Sequence, residues 1–149
     1  MIEARVQTGD FDVAAELAAL ERLGGGAVAS FTGLVRGEGG LRSLTLEHYP
    51  AMTQAQMARI GEQAAQRWPL LGIRIVHRIG TLAPGARIVF VGTASSHRMA
   101  ALESCAFLID WLKTDAPFWK KEAHGDGSER WVDARQEDAA RAAGWVAED

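Results

Sequence analysis

Cysteine is almost absent from this chain, with one in 149 residues. A single thiol cannot close an internal disulfide, so a stapled secreted scaffold is excluded. Proline is scarce at four, and no Pro- or Ser-rich stretch marks a linker. No apolar run approaches the length of a membrane span. The opening Met-Ile-Glu-Ala-Arg lacks the basic-then-apolar layout of a signal peptide. An excess of positive charge is missing too: the formal net charge is -3, which argues against general nucleic-acid binding. These absences predict a soluble cytoplasmic protein. What is present, 48% hydrophobic and 23% charged residues, suits one folded domain over 1–149 that buries its own core.

The hydrophobic pattern gives the elements. Residues 2–7 alternate and predict a strand. Asp10 can cap a helix whose apolar residues Val13, Leu17, Leu20 and Leu23 fall at helical spacing, stopped by Gly24, Gly25 and Gly26. Strands follow at 27–35 and 43–49, with Leu44 and Leu46 on one face and Pro50 as the end. A second helix is predicted over 53–68 on the stripe Met57, Ile60, Ala64 and Trp68. A strand at 72–80 puts Ile73, Ile75, His77 and Ile79 on one face. Pro84-Gly85 is a turn signal, and the nearly all-apolar 86–95 suits a strand covered on both sides. The third helix, 97–113, has Ala101, Cys105, Leu108 and Leu112 on its seam. Beyond Pro117 a hairpin is expected, FWKKEAH and RWVDA about a GDGS turn, and from Gln136 a polar tail that reads as a frayed helix. The order β-α-β-β-α-β-β-α-β-β predicts an α+β fold with a largely antiparallel or mixed sheet.

The cations are unevenly typed. Thirteen of the sixteen are arginine, and the only lysines, Lys113, Lys120 and Lys121, fall within nine residues. A lysine amine can lose a proton and act as base or nucleophile; a guanidinium cannot. Clustering alone fits a solvated charged face equally well. Between these lysines stand Pro117, Phe118 and Trp119, with Trp111 just upstream. Cations beside an aromatic wall suit a planar anionic ligand, although a tryptophan such as Trp119 more commonly belongs to a core. Ser95-Ser96-His97-Arg98 opens the third helix, where free N–H groups favour an anion; Ser96 as a plain N-cap, with His97 and Arg98 solvated, explains the same residues. Arg36 stands at the base of a glycine-rich loop that matches no nucleotide-binding fingerprint. Arg130 and Arg135 in the last hairpin are further candidates. No cofactor is implied, and the four histidines show no ligand spacing for a metal site. Cys105, on an apolar helix seam, reads as a buried inert thiol.

The segments FTGLVR (31–36), LTLEHYPAM (44–52), VHRIG (76–80), IVFVGTASSHR (88–98), DWLKTDAPFWKKE (110–122) and RWVDAR (130–135) resemble, in order, the large catalytic subunit of molybdopterin synthase, the MoaE family. The resemblance runs over roughly residues 5–135. It implies an α/β hammerhead-type fold with an additional antiparallel β subdomain. It further implies sulfur transfer to cyclic pyranopterin monophosphate (precursor Z), forming the dithiolene of molybdopterin. The sulfur would come as a thiocarboxylate on the C-terminal Gly-Gly of a small ubiquitin-like carrier of MoaD type. The implied pocket takes Arg36, His97, Arg98, Lys113, Lys120, Lys121 and Glu122, with Lys113 and Lys120 closest to the chemistry. Arg135 would reach the pocket of the other protomer in a homodimer within a heterotetramer. Leu34 stands where members of the family often carry a cation, the loop 37–42 is short, and 124–128 is a region of variable length that faces the partner.

A non-catalytic module that holds a phosphorylated metabolite or the carrier tail would use the same cations. Such a binder should tolerate Lys113→Arg, and the enzyme should not. Single-stranded RNA binding on tryptophan and lysine is a weaker third reading, set against the net charge.

Overall fold

A computed structural model describes residues 1–48, 50–114, 118–132 and 145. Arg135 and the expected tail from 136, Trp145 aside, lie outside the described residues. Four strands build a first sheet in the order β1-β4-β6-β2: β1 (Ile2–Gln7), β2 (Ala27–Leu34), β4 (Leu70–Arg78) and β6 (Arg87–Ser95). β1 runs parallel to β4, with Ala4 opposite Ile75; β4 and β2 both pair antiparallel with β6, so the sheet is mixed. A second sheet, wholly antiparallel, has the order β5-β3-β7-β8 and uses β3 (Leu41–His48), β5 (Gly80–Leu82), β7 (Phe118–His124) and β8 (Glu129–Val132). The fold is α+β with an added antiparallel sheet, as expected.

Three helices among the described residues cover the first sheet. α2 (Pro50–Arg67) and α3 (Arg98–Thr114) pack on one face, where Met57, Ile60, Ala64, Ala101, Cys105 and Leu108 meet Ile73, Ile75 and Val91. α1 (Val13–Glu21) takes the other face, where Leu20 and Phe11 meet Val76, Phe90 and Ala94. A third, smaller cluster of Val35, Leu44, Leu46 and Leu82 lies under the second sheet. None of the described helices is long and apolar enough to cross a membrane.

Several local expectations are corrected. The cap of α1 is Asp12, whose carboxylate accepts from the Ala15 N–H; Asp10 instead accepts from its neighbour Phe11. Pro50 starts α2 rather than only ending β3, because a first-turn proline lacks a hydrogen that the helix would leave unpaired there. The segment 72–80 is not one strand with one buried face. It breaks at Ile79 into β4 and β5, which join different sheets, and both faces of β4 are buried since Val76 packs under α1. At the entrance of α3, Ser95 rather than Ser96 takes the His97 N–H on its hydroxyl oxygen, while that hydroxyl donates to the Pro69 carbonyl.

Candidate functional site

Where the end of β2, the middle of β6 and the last turns of α3 meet β7, the two sheets leave a cavity of about 330 Å³. Its floor is apolar: Phe31, Val89, Val91, Ile109 and Leu112. Three cations line it from three separate parts of the chain. Arg36 comes from the loop that follows β2. Lys113 stands in the last turn of α3, where the negative end of the helix dipole favours a positive charge. Lys120 projects from β7, opposite Leu46 of β3. Among the described residues, no carboxylate lines the cavity. Fixed cations above an apolar floor can bind an anion on a flat apolar body and hold negative charge that develops during a reaction.

His77, at the end of β4, also lines this cavity, and the sequence pattern gave it only a place on a strand face. Its Nδ1–H donates to the Arg78 carbonyl at 2.8 Å, which leaves the lone pair on Nε2. The ring is 5% exposed and lies 3.7 Å from the Phe118 ring in a stack. Burial comes first among the influences on its proton; the Arg78 hydrogen bond opposes it, Lys120 and His48 reinforce it, and the imidazole is driven down to about 4. His77 is therefore neutral near pH 7. Phe118 also stacks with His48, 6.0 Å between centroids, and burial lowers His48 as well.

The other candidate residues stand elsewhere. Adjacent strand residues face opposite ways, so Lys121 points to the outer face of the second sheet. There it pairs with Glu129 at 3.4 Å and lies 5.8 Å from the Trp131 ring centroid. Trp119 shares that outer face and is 41% exposed, which corrects its expected place in the core. Glu122 accepts from Arg130 Nε at 3.2 Å and lies 3.2 Å from His124 Nε2. His97 and Arg98 are exposed at the start of α3. At 1.5 Å per residue they lie about 22 Å along the axis from Lys113, so one chain does not bring them to this cavity. Cys105 is buried, as expected, and burial pushes its thiol up to about 12.

The model of the family described as MoaE protein matches residues 6–115, most of the chain and the segments that carry Arg36, His77 and Lys113. This chain belongs to the MoaE family. Among its relatives, a molybdopterin synthase catalytic subunit from Mesorhizobium japonicum is 53% identical over 95% of this chain and 91% of that protein. One of the same name from Pseudomonas aeruginosa is 51% identical over 95% of this chain and 97% of its own length. A solved structure, the molybdopterin biosynthesis MoaE protein of Burkholderia ambifaria, superposes with a TM-score of 0.84 at 49% identity, covering 98% of this chain and 99% of the other. MoaE membership accounts for the two-sheet fold, and the cavity cations fall within the motifs by which the sequence resembles that family.

Proposed function

We propose that this MoaE chain is the catalytic subunit of a molybdopterin synthase. It takes sulfur from the C-terminal thiocarboxylate of a small ubiquitin-like carrier and places it on cyclic pyranopterin monophosphate. The observation that carries the reading is the convergence of Arg36, Lys113 and Lys120 on one apolar-floored cavity. Both reactants are anionic. Two unit charges 4 Å apart repel by about 1 kcal/mol in water and about 4 kcal/mol at the effective dielectric of a protein surface. Cations held in place before either reactant arrives offset that repulsion without reorganising.

The roles divide by chemistry. Arg36 suits the substrate phosphate, which a guanidinium can clamp with two parallel hydrogen bonds. Lys113 sits nearest the reacting carbonyl, where its ammonium neutralises the thiocarboxylate and stabilises the tetrahedral intermediate. Lys120 serves the pterin side of the same step. His97, Arg98 and Arg135 enter this reading through a second protomer, because the length of α3 keeps its first residues far from the cavity of their own chain. Glu122 acts from the rim of β7, and Lys121, on the outer face of the second sheet, takes no part in this step. The subunit works in the cytoplasm as a homodimer within a heterotetramer.

Reconstitution tests the reading. Purified chain, thiocarboxylated Gly-Gly carrier and precursor Z should give dithiolene product, followed as the oxidised fluorescent pterin. Lys113→Ala and Lys113→Arg should both lose at least about a hundredfold in rate, the scale of a positioned proton-transfer group, while still folding and binding the carrier. A wild-type chain that binds both reactants and yields no product would leave the binding-module reading in its place.

A further inference from the structure

His77 is a polar ring in the wall of a cavity whose floor is apolar. Its strand, β4, lies inside the first sheet, and His77 stands opposite Val6 of β1 and Val89 of β6, so its backbone is held from both sides. The ring is held as well. Phe118 of β7 stacks on it with the planes 13° apart, and its Nδ1–H is engaged by the Arg78 carbonyl. A side chain fixed in this way needs no rearrangement to meet a ligand.

What remains is Nε2, which no donor reaches among the described residues. Buried polar atoms are normally paired, and each exception calls for a reason. Among the described residues, the one buried side-chain nitrogen or oxygen that is both unpartnered and cut off from open space is Nδ1 of His48. Nε2 of His77 is unpartnered without being cut off, so this is the edge by which the ring meets the cavity. A histidine that only filled the core would leave a hydrogen bond unmade, where a leucine or a phenylalanine would not. Burial keeps the ring without its second proton near pH 7, so Nε2 accepts and does not donate. Lys120 lines the same cavity, near enough for its charge to act on the ring, and an ammonium only donates. The wall therefore sets an acceptor beside a donor above an apolar floor, with Arg36 left for an anionic end. Its complement is a planar heterocycle whose edge carries an N–H next to a C=O, as the lactam of a pterin does.

We propose that His77 is a substrate-orienting residue: its Nε2 accepts from the lactam N–H of the pterin while Lys120 donates to the adjacent carbonyl, which fixes the ring on the cavity floor. The inference rests on the reading of the cavity as the pterin-phosphate site and adds which edge of the pterin meets which wall.

The test compares wild type with two variants. His77→Phe keeps an aromatic ring against Phe118 and lacks the acceptor; His77→Gln has an amide oxygen that can stand in for Nε2. Calorimetric titration with precursor Z should show His77→Phe weakened about tenfold, the effect of one lost hydrogen bond, and His77→Gln recovering most of that loss. Inorganic phosphate, which has no lactam edge, should bind all three proteins alike. Nitrogen-15 NMR of wild type should show the His77 Nε2 resonance moving when precursor Z is added and staying in place when phosphate is added. The proposal is overturned if His77→Phe binds precursor Z as wild type does, if it loses phosphate in the same proportion, or if Nε2 does not respond to precursor Z. Should His77→Phe not fold, the wild-type NMR titration decides alone. Wild type that forms dithiolene with an unmoved Nε2 sinks this inference and leaves the sulfurtransferase reading standing. Wild type that binds precursor Z at Nε2 and forms no product does the reverse.

Discussion

At the scale of single residues, two buried groups have chemistry set by where they lie. His77 is neutral because burial takes it down to about 4 from an ordinary value of 6.5. The unfolded chain therefore binds more protons than the folded one between those values, and stability falls as pH drops from 6.5 towards 4. The difference is worth about 3 kcal/mol at 1.36 kcal/mol per unit. Urea unfolding at pH 7 and pH 4.5 should show wild type losing more than His77→Gln over that interval; equal losses would mean that His77 does not titrate this way. Cys105 is the second case. With its thiol pushed up to about 12 and its Sγ 3.7 Å from the Val91 carbonyl, it should resist iodoacetamide at pH 8 in the folded protein. Alkylation should become complete in urea, and rapid labelling without denaturant would contradict the buried assignment. These two residues also mark the reach of the sequence. Cys105 was legible from its place on a helical seam. Lys113 and Lys120 were legible because lysine is rare here, and Arg36 through the family motif. His77 was not, since a histidine at an inward strand position has the same pattern whether it fills a core or walls a cavity, and only the approach of Phe118 and Lys120 from another sheet separates the two.

At the scale of elements, the close approach of α1 to the first sheet depends on a missing side chain. A Cβ built on Gly92 in β6 would lie 2.5 Å from Leu20 Cδ1 and 2.8 Å from the Phe90 ring. Gly92→Ala should cost about 1–3 kcal/mol, the usual range for overpacking, and lower the urea midpoint without changing the slope. An unchanged midpoint would mean that α1 can shift at no cost. The strand and helix periods made most elements legible: β1 was expected at its observed bounds, and Met57, Ile60, Ala64, Ala101, Cys105 and Leu108 all point inward as their spacing required. The break between β4 and β5 was hidden because VHRIG keeps alternating through Ile79. What divides it is long-range pairing, β4 with β6 and β5 with β3, together with Gly80 at φ 91°. A two-residue period cannot report which sheet a strand joins.

At the scale of the whole molecule, Trp145 ties a distant part of the chain to α2 and to α3, the helix that lines the cavity. Trp145 stands in a socket between α2 and α3. Its indole Nε1–H donates to Asp110 at 2.6 Å, and its ring meets Trp68 and Phe107 edge-on, 5.8 and 5.7 Å between centroids. Arg67 closes the socket: its guanidinium lies 5.1 Å from the Trp68 and Phe107 centroids and 5.7 Å from that of Trp145, and it donates to the Trp145 carbonyl at 3.1 Å. Asp110 and Phe107 are on α3, within two turns of Lys113, so this contact stabilises the helix end that lines the cavity. Trp145→Ala removes both the ring contacts and the N–H. Because the tryptophan is only half-buried, the loss should fall below the 3–5 kcal/mol of a fully buried aromatic, at about 2 kcal/mol, and lower Tm by roughly 6 °C. Trp145→Phe keeps one aromatic ring and loses the hydrogen bond together with the five-membered ring, so its Tm should lie between wild type and Trp145→Ala. Calorimetry of the three proteins separates the contributions. A Trp145→Ala protein that melts with wild type would show that the socket bears no load, and a Trp145→Phe protein as unstable as Trp145→Ala would place the effect in what phenylalanine lacks, the bond to Asp110 and the five-membered ring.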